Sequence, residues 1–253
     1  MKSSKPDYGI DEPGLARGFL IGAIGLITIG LGLLYLSATL GSWTKFAAVV
    51  SLLLGLYPLG MFFIMNWESR VTKIIDREKI LNLIKWRGDE QVLDVGCGRG
   101  LMMIGAARRL SSGKAIGIDL WLDRDQSSNT EDAPLQNAQI ENVSDRVFFE
   151  TADMRKLPFP DTTFDVVLSS WVVHNLENRD DRVKALAEMM RVLRSGGALL
   201  LTDIVNRNEY IDLLKTTDTS ETRLIVFSAV KDRILRFVSF GSYGPSTILA
   251  RKA

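Results

Sequence analysis

The 253-residue chain predicts an α/β fold: a doubly wound, mostly parallel sheet with helices on both faces, preceded by an apolar helical hairpin. Three observations lead there. From residue 91 onward, short apolar runs alternate with helix-like segments, a rhythm that needs crossover helices on both faces of a sheet. The first of those runs passes directly into glycines at alternate positions, Gly96, Gly98 and Gly100. Ahead of them lie two long stretches, 19–40 and 46–65, without one charged side chain.

Each uncharged stretch is about 20 residues, enough at a rise of 1.5 Å per residue to cross a hydrocarbon core of ~30 Å. Both are expected to be transmembrane helices, making residues 1–68 an N-terminal membrane anchor and 69–253 a separate domain. Gly41, Ser42, Trp43, Thr44 and Lys45 leave room only for a tight hairpin between them. Trp43 and Trp67 flank the runs where interfacial aromatics belong. Gly18, Gly22, Ala23, Gly25 and Gly30 offer a small-residue face for close helix packing, and Pro58 is of a kind that membrane helices tolerate. A cleaved signal peptide fits poorly, because the first run is too long and a second follows at once. Lys2, Lys5 and Arg17 precede the first run, and Arg70, Lys73, Arg77 and Lys79 follow the second, whereas the hairpin holds only Lys45. That asymmetry predicts a multi-pass protein with both termini and the glycine-rich domain in the cytoplasm. The helix-like stripe Val71, Ile74, Ile75, Leu81, Ile84 then leads into the sheet and keeps the domain close to the bilayer.

The remaining elements follow in order. Strands are expected at 91–95, 114–118, 147–151, 164–169 and 197–203, with helices at 100–110, 131–142 and 180–193. In the tail, 209–215 reads as helix, 224–227 as strand and 247–251 as a closing strand. Residues 229–243 fit neither period. The single cysteine, Cys97, excludes an internal disulfide and sits in the glycine turn as a small side chain. A net charge of +1 gives no bulk electrostatic case for nucleic acid. These features leave the oligomeric state open.

The glycine turn allows a ligand to lie against the backbone, and Asp94 selects the ligand's charge. A carboxylate beside a turn of this kind repels a pyrophosphate but suits a cation. The run Asp94-Val95-Gly96-Cys97-Gly98-Arg99-Gly100 resembles the first motif of the class I S-adenosylmethionine-dependent methyltransferases. Asp119 closes the second strand about 20 residues on, where doubly wound folds hold ribose hydroxyls. Ala152-Asp153-Met154 resembles the family's adenine-binding turn. The lead-in before Phe164 and the segment 192–203 resemble its fourth and fifth strands. The resemblance spans roughly 70–253 and is nearest to the ubiquinone/menaquinone C-methyltransferase type. It implies a Rossmann-like seven-stranded sheet, S-adenosylmethionine as cofactor and a small, lipophilic or lipid acceptor.

On that resemblance the cofactor-binding residues are Asp94, Gly96, Gly98, Gly100, Asp119, Leu120, Asp153, Met154 and Ser169. Asp94 is expected to face the methionine ammonium, with a helix cap as its alternative use. Asp119 is expected on the ribose and Asp153 on the adenine amino group. His174 is the only histidine. It follows the fourth strand, so it stands as the candidate general base, with structural packing as the competing use. Trp171 beside it walls a pocket or fills core. Asp119, Asp123 and Asp125 lack the spacing of a calcium loop, and the chain lacks the histidines and cysteines for zinc, so no metal is expected. The loop 121–129 reads as a cover over the site. A non-catalytic membrane-bound S-adenosylmethionine-binding module is the alternative function.

Overall fold

The computed structural model describes residues 5–122, 130–239 and 244–253. Asp123 and Asp125 lie outside them, as do the end of the segment 229–243 and most of the expected cover loop. The described chain forms two compact units, one helical from Gly9 to Lys73, the other comprising the N-terminal residues to Tyr8 and the chain from Ile74 onward.

In the helical unit, α1 (Pro13–Leu40) and α2 (Ser42–Trp67) are joined by Gly41 alone. The link is shorter than the five residues expected, because Gly41 adopts a φ of 98° that side chains disfavour. Thr44 donates its hydroxyl back to the Gly41 carbonyl at 2.7 Å, so residues 42–45 already belong to the first turn of α2. Small residues do line the seam, but not all those expected. Ala16, Ala23 and Gly30 are buried from α1, at the seven-residue spacing of a left-handed supercoil. They face Thr44, Ala48, Ser51 and Gly55 of α2. A Cβ at Gly30 would meet Leu52 at 2.7 Å, whereas Gly18, Gly22 and Gly25 have nothing within 4 Å. Ser51 seals the seam by donating to the Leu26 carbonyl at 2.7 Å. The outer faces expose Ile21, Ile24, Leu31, Phe46, Leu53 and Phe63. By length and composition, both helices can cross a membrane.

After a π-helical turn at Glu68–Thr72 comes α3 (Lys73–Leu81), which ends before Ile84, the last residue of the apolar stripe. The α/β unit then runs β1 (Gln91–Val95), α4 (Leu101–Ala107), β2 (Lys114–Asp119), α5 (Asp132–Ile140), β3 (Val147–Thr151), β4 (Phe164–Ser170), α6 (Arg179–Val192), β5 (Leu193–Asp203), α7 (Arg207–Lys215), β6 (Thr219–Ile225), α8 (Ala229–Val238) and β7 (Ser246–Lys252). The sheet order is β3-β2-β1-β4-β5-β7-β6. β7 alone runs antiparallel to its neighbours. Two elements differ from expectation: β6 lies five residues earlier than the strand placed at 224–227, and α8 occupies the segment left unassigned.

Alternate residues of each central strand enter opposite cores, which is why these strands read as continuous apolar runs. Val92, Leu168 and Leu200 join Met103 and Ile104 on one face. Leu93, Val95, Val167, Leu199 and Met189 fill the other. Strand order reverses between β1 and β4, which opens a crevice at their carboxyl ends.

The N-terminal segment belongs to this unit. Asn137, almost wholly buried on α5, donates to the Asp7 and Arg99 carbonyls and accepts from the Asp7 amide at 2.8 Å. Arg99 also binds the Asp7 carbonyl and carboxylate. Tyr8 is buried, accepting a hydrogen bond from Arg77 and donating one to Glu141. Burial holds its phenol protonated, well above the ordinary range.

Candidate active site

The crevice forms where β1 meets the glycine turn. Gly96, Gly98 and Gly100 all have positive φ, and at Gly96 sterics also require glycine. A Cβ there would lie 2.5–2.7 Å from three atoms of the Val172 side chain. The loop after β4 therefore packs directly on the glycine turn, a contact the sequence reading did not anticipate. Gly117 of β2 plays a similar part beneath the turn, where a Cβ would meet Cys97 Sγ at 2.7 Å. Burial, with Asp94 and Asp119 nearby, pushes the Cys97 thiol well above its ordinary value. Cys97 is thus a packed, protonated side chain.

Asp94 fills the helix-capping use considered for it and keeps one oxygen over. Its Oδ2 accepts from the Met103 amide at 2.9 Å, tying β1 to the first turn of α4. Its Oδ1 is buried with no partner among the described residues. Burial pushes its pKa up to about 7; the Met103 amide opposes the rise and the Asp119 charge adds to it. Ser169, one strand over and in register with Val95, has a buried hydroxyl that likewise lacks a partner among the described residues. An orphaned carboxylate oxygen and hydroxyl on adjacent strand ends are costly unless a polar group meets them. A primary ammonium is such a group, so these residues fit the amino-acid end of S-adenosylmethionine.

Asp119 turns back toward the same loop. Its two oxygens accept from Gly98 N at 2.8 Å and Trp121 N at 2.7 Å, so its visible work is to clasp the glycine turn. Leu120 beside it is exposed. Trp121 after β2 and Trp171 after β4 both sit at φ near +57°, a left-handed conformation that bulky residues avoid. Such outliers gather where surrounding structure enforces them, often at functional sites. Asp153 follows β3 but is gripped by Arg155, which donates to it through Nε, Nη2 and its own amide. Arg155 in turn pairs with Asp181, and its guanidinium holds the Asp153 carboxyl below the usual range. Met154 packs against the second core.

His174 stands in a short helical turn after β4, mostly buried. Its Nδ1 lies 2.6 Å from Asp203 Oδ1, at the carboxyl end of β5. Asp203 is 3% exposed; it also accepts from the His174 and Ile204 amides and the Tyr210 hydroxyl. The sequence reading placed Asp203 only as a strand end. The available signal was an acid at the tip of a strand adjacent to the histidine's own. Among the described residues no cluster of metal-ligating side chains occurs.

With this geometry in hand, the relatives are informative. A family profile described as a methyltransferase domain matches residues 93–201. The 27-O-demethylrifamycin SV methyltransferase of Amycolatopsis mediterranei is 33% identical over 138 residues, covering 54% of this chain and 46% of that protein. Demethylmenaquinone methyltransferase of Bacteroides fragilis is 28% identical over 174 residues, 69% of this chain and 66% of its own length. The chain thus spans about half to two thirds of these relatives. Among solved structures, geranyl diphosphate C-methyltransferase from Streptomyces coelicolor A3(2), bound to Mg2+, geranyl diphosphate and S-adenosyl-L-homocysteine, is similar with a TM-score of 0.58 at 16% identity, over 74% of this chain and 81% of that one. The [4+2]-cyclase SpnF is similar with a TM-score of 0.55 at 18% identity, over 73% and 82%. At such identities the likeness is one of fold, and that fold also houses a cyclase. Residues 93–201 thus match a methyltransferase domain, a family to which the ordered motifs and the names of these relatives also point.

Proposed function

We propose that the protein is a membrane-anchored enzyme that transfers the methyl group of S-adenosylmethionine to a small, lipophilic acceptor. The observation that carries the reading is the buried, unpartnered Asp94 Oδ1 at the glycine turn, on the strand beside β4 and β5, whose carboxyl ends carry the His174–Asp203 pair. The cofactor supplies an activated sulfonium methyl and a neutral leaving group, so catalysis can rest on placing the acceptor in line, ~3 Å from the methyl carbon. Asp94 and Ser169 bind the ammonium. Asp119 holds the glycine turn and presents its carboxylate toward the ribose. Met154 and the end of β3 border the adenine; Asp153 reaches it only by loosening Arg155. Asp203 fixes the imidazole through Nδ1, which makes Nε2 the atom that takes the acceptor's proton.

A lipophilic acceptor is favoured by α1 and α2, and by relatives that act, according to their names, on demethylmenaquinone or geranyl diphosphate. Residues before α1 and after α3 share one unit, so a membrane hairpin returns the chain to its starting side. The basic residues at both flanks favour the cytoplasm for that side.

The test is S-adenosylhomocysteine formation by the full chain with a membrane extract as acceptor, followed by lipid profiling for a 14-dalton increment traced to labelled methionine. Binding without turnover would instead establish the non-catalytic module. Cofactor binding that survives Asp94→Ala together with Asp119→Ala would overturn the site itself.

A further inference from the structure

α8 presents an apolar face that no described residue of its own unit covers. Val230, Ile234 and Phe237 are 68%, 55% and 82% exposed. At helical spacing these three fall within an arc of about 60°. Leu224 and Phe227, each 40% exposed, extend the patch toward β6. The opposite side of α8 is anchored: Leu235 is 6% exposed, while Arg236 pairs with Asp232 at 3.0 Å and donates to the Gly244 carbonyl. The helix is therefore docked by one side with its greasiest side outward. Soluble domains rarely leave a contiguous patch of this kind without a partner.

The topology places it at the mouth of the site. β6 and β5 both run antiparallel to β7, so the carboxyl ends of β5 and β6 lie on one edge of the sheet. α8 connects that end of β6 to the start of β7, where Ser246 is paired with Asp203. Three properties select a lipid surface over a protein as its occupant. The same polypeptide carries two helices able to cross a membrane. The α8 segment holds three basic residues against one acid, a bias that suits anionic headgroups. Its apolar stripe also ends in an exposed phenylalanine, in the manner of helices that lie in the plane of a membrane interface.

We infer that α8 is an in-plane docking helix that seats the open edge of the sheet on an anionic bilayer, so that a lipophilic acceptor reaches His174 from the lipid rather than from water. This rests on the membrane-enzyme reading above and adds the route by which the acceptor arrives.

The experiment uses the full chain in vesicles of phosphatidylcholine with phosphatidylglycerol. A bimane fluorophore is attached at Phe237→Cys or, as control, at Asp145→Cys, an exposed site beside the start of β3 on the opposite edge. Nitroxide-bearing acyl chains are expected to quench the Phe237 label at least threefold more than the Asp145 label. Equal quenching overturns the inference, as does ready disulfide cross-linking between two unlabelled Phe237→Cys chains, which would show a second copy covering the face. In a second arm, Val230→Glu with Phe237→Glu should lower turnover of the membrane extract at least tenfold while leaving S-adenosylmethionine affinity within twofold. Unchanged turnover also overturns it. If the unaltered chain forms no S-adenosylhomocysteine at all, the enzyme reading falls instead, and the quenching result still decides the placement of α8.

Discussion

Asp203 holds His174 twice: Oδ1 lies 2.6 Å from the ring Nδ1, and Oδ2 accepts the histidine's own amide at 3.1 Å. The same carboxylate receives Tyr210 from α7, so one buried side chain sets the position of the imidazole relative to β4, β5 and α7. A histidine held in this way has a defined tautomer, with Nδ1 as donor to the carboxylate.

Removing the ring is expected to reduce S-adenosylhomocysteine formation by His174→Ala about 10²–10⁴-fold, the usual range for a general base. S-adenosylmethionine affinity should stay within about threefold, since affinity and turnover respond to different groups. Asp203→Asn keeps the shape but alters the tautomer. It should lower kcat while also lowering the melting temperature, because the Tyr210 and Ile204 contacts change with it. Steady-state kinetics beside calorimetric cofactor titration separates the two variants.

Asp94 is expected to make cofactor binding depend on pH. Burial raises its pKa to about 7 from an ordinary 3.8. The folded protein therefore keeps a proton that the unfolded chain loses, and its stability without cofactor falls as pH rises from about 4 to about 7, then levels. An ammonium placed at Oδ1 favours the ionised form, so binding below pH 7 must release a proton. Affinity should rise with pH up to about 7 and then flatten. Asp94→Asn should abolish that slope and weaken binding at pH 8 by roughly 10–100-fold, the value of a hydrogen bond to a charged group. Titration calorimetry in buffers of different ionisation enthalpy measures both the slope and the released proton.

Gly96 and Val172 should behave as a coupled pair. Gly96→Ala places a methyl against Val172 and forces alanine to a positive φ, for a combined cost of about 2–4 kcal/mol. Val172→Ala in the same chain should recover the part of the steric cost due to the two γ-methyls, not that of the Val172 Cβ, 2.7 Å away, nor the backbone part. A thermal-denaturation double-mutant cycle is expected to show coupling of about 1–2 kcal/mol. Simple additivity would mean that the loop after β4 does not rest on the glycine turn.

Truncation should be sensitive to where it starts. Deleting residues 1–66 removes Asp7 and Tyr8, which takes from buried Asn137 its bonds to Asp7 and from buried Arg77 its bond to Tyr8. Lost bonds of that kind cost about 1–3 kcal/mol each. A chain that keeps residues 1–9 and replaces only 10–66 with a flexible linker should melt several degrees higher. It should also show slower amide exchange in the glycine turn around Arg99.

Much of this fold was legible because its strands are buried on both faces and end at glycines and acids; β1, β3, α7 and β7 stand within two residues of their expected places. The misplacement of β6 has a physical cause. Its burial is partial along its length, so Thr219 to Arg223 gave no apolar run, and the run Leu224 to Phe227 drew the expected strand toward the carboxyl end. The interhelical seam was misread because a glycine count does not reveal the face; the heptad Ala16, Ala23, Gly30 does. In the site, the acids were visible but not their partners. Arg155 on Asp153 and Asp203 on His174 depend on which strand ends become neighbours, which is a property of sheet order rather than of local sequence.

The segment ahead of α1 has one more consequence. Asp7 leaves the ribosome well before its partner Asn137, which follows 130 positions later. That segment must therefore wait, undocked, until α5 has been synthesised. Any enzyme that clips or modifies that stretch meets it during translation, before the finished domain closes over it.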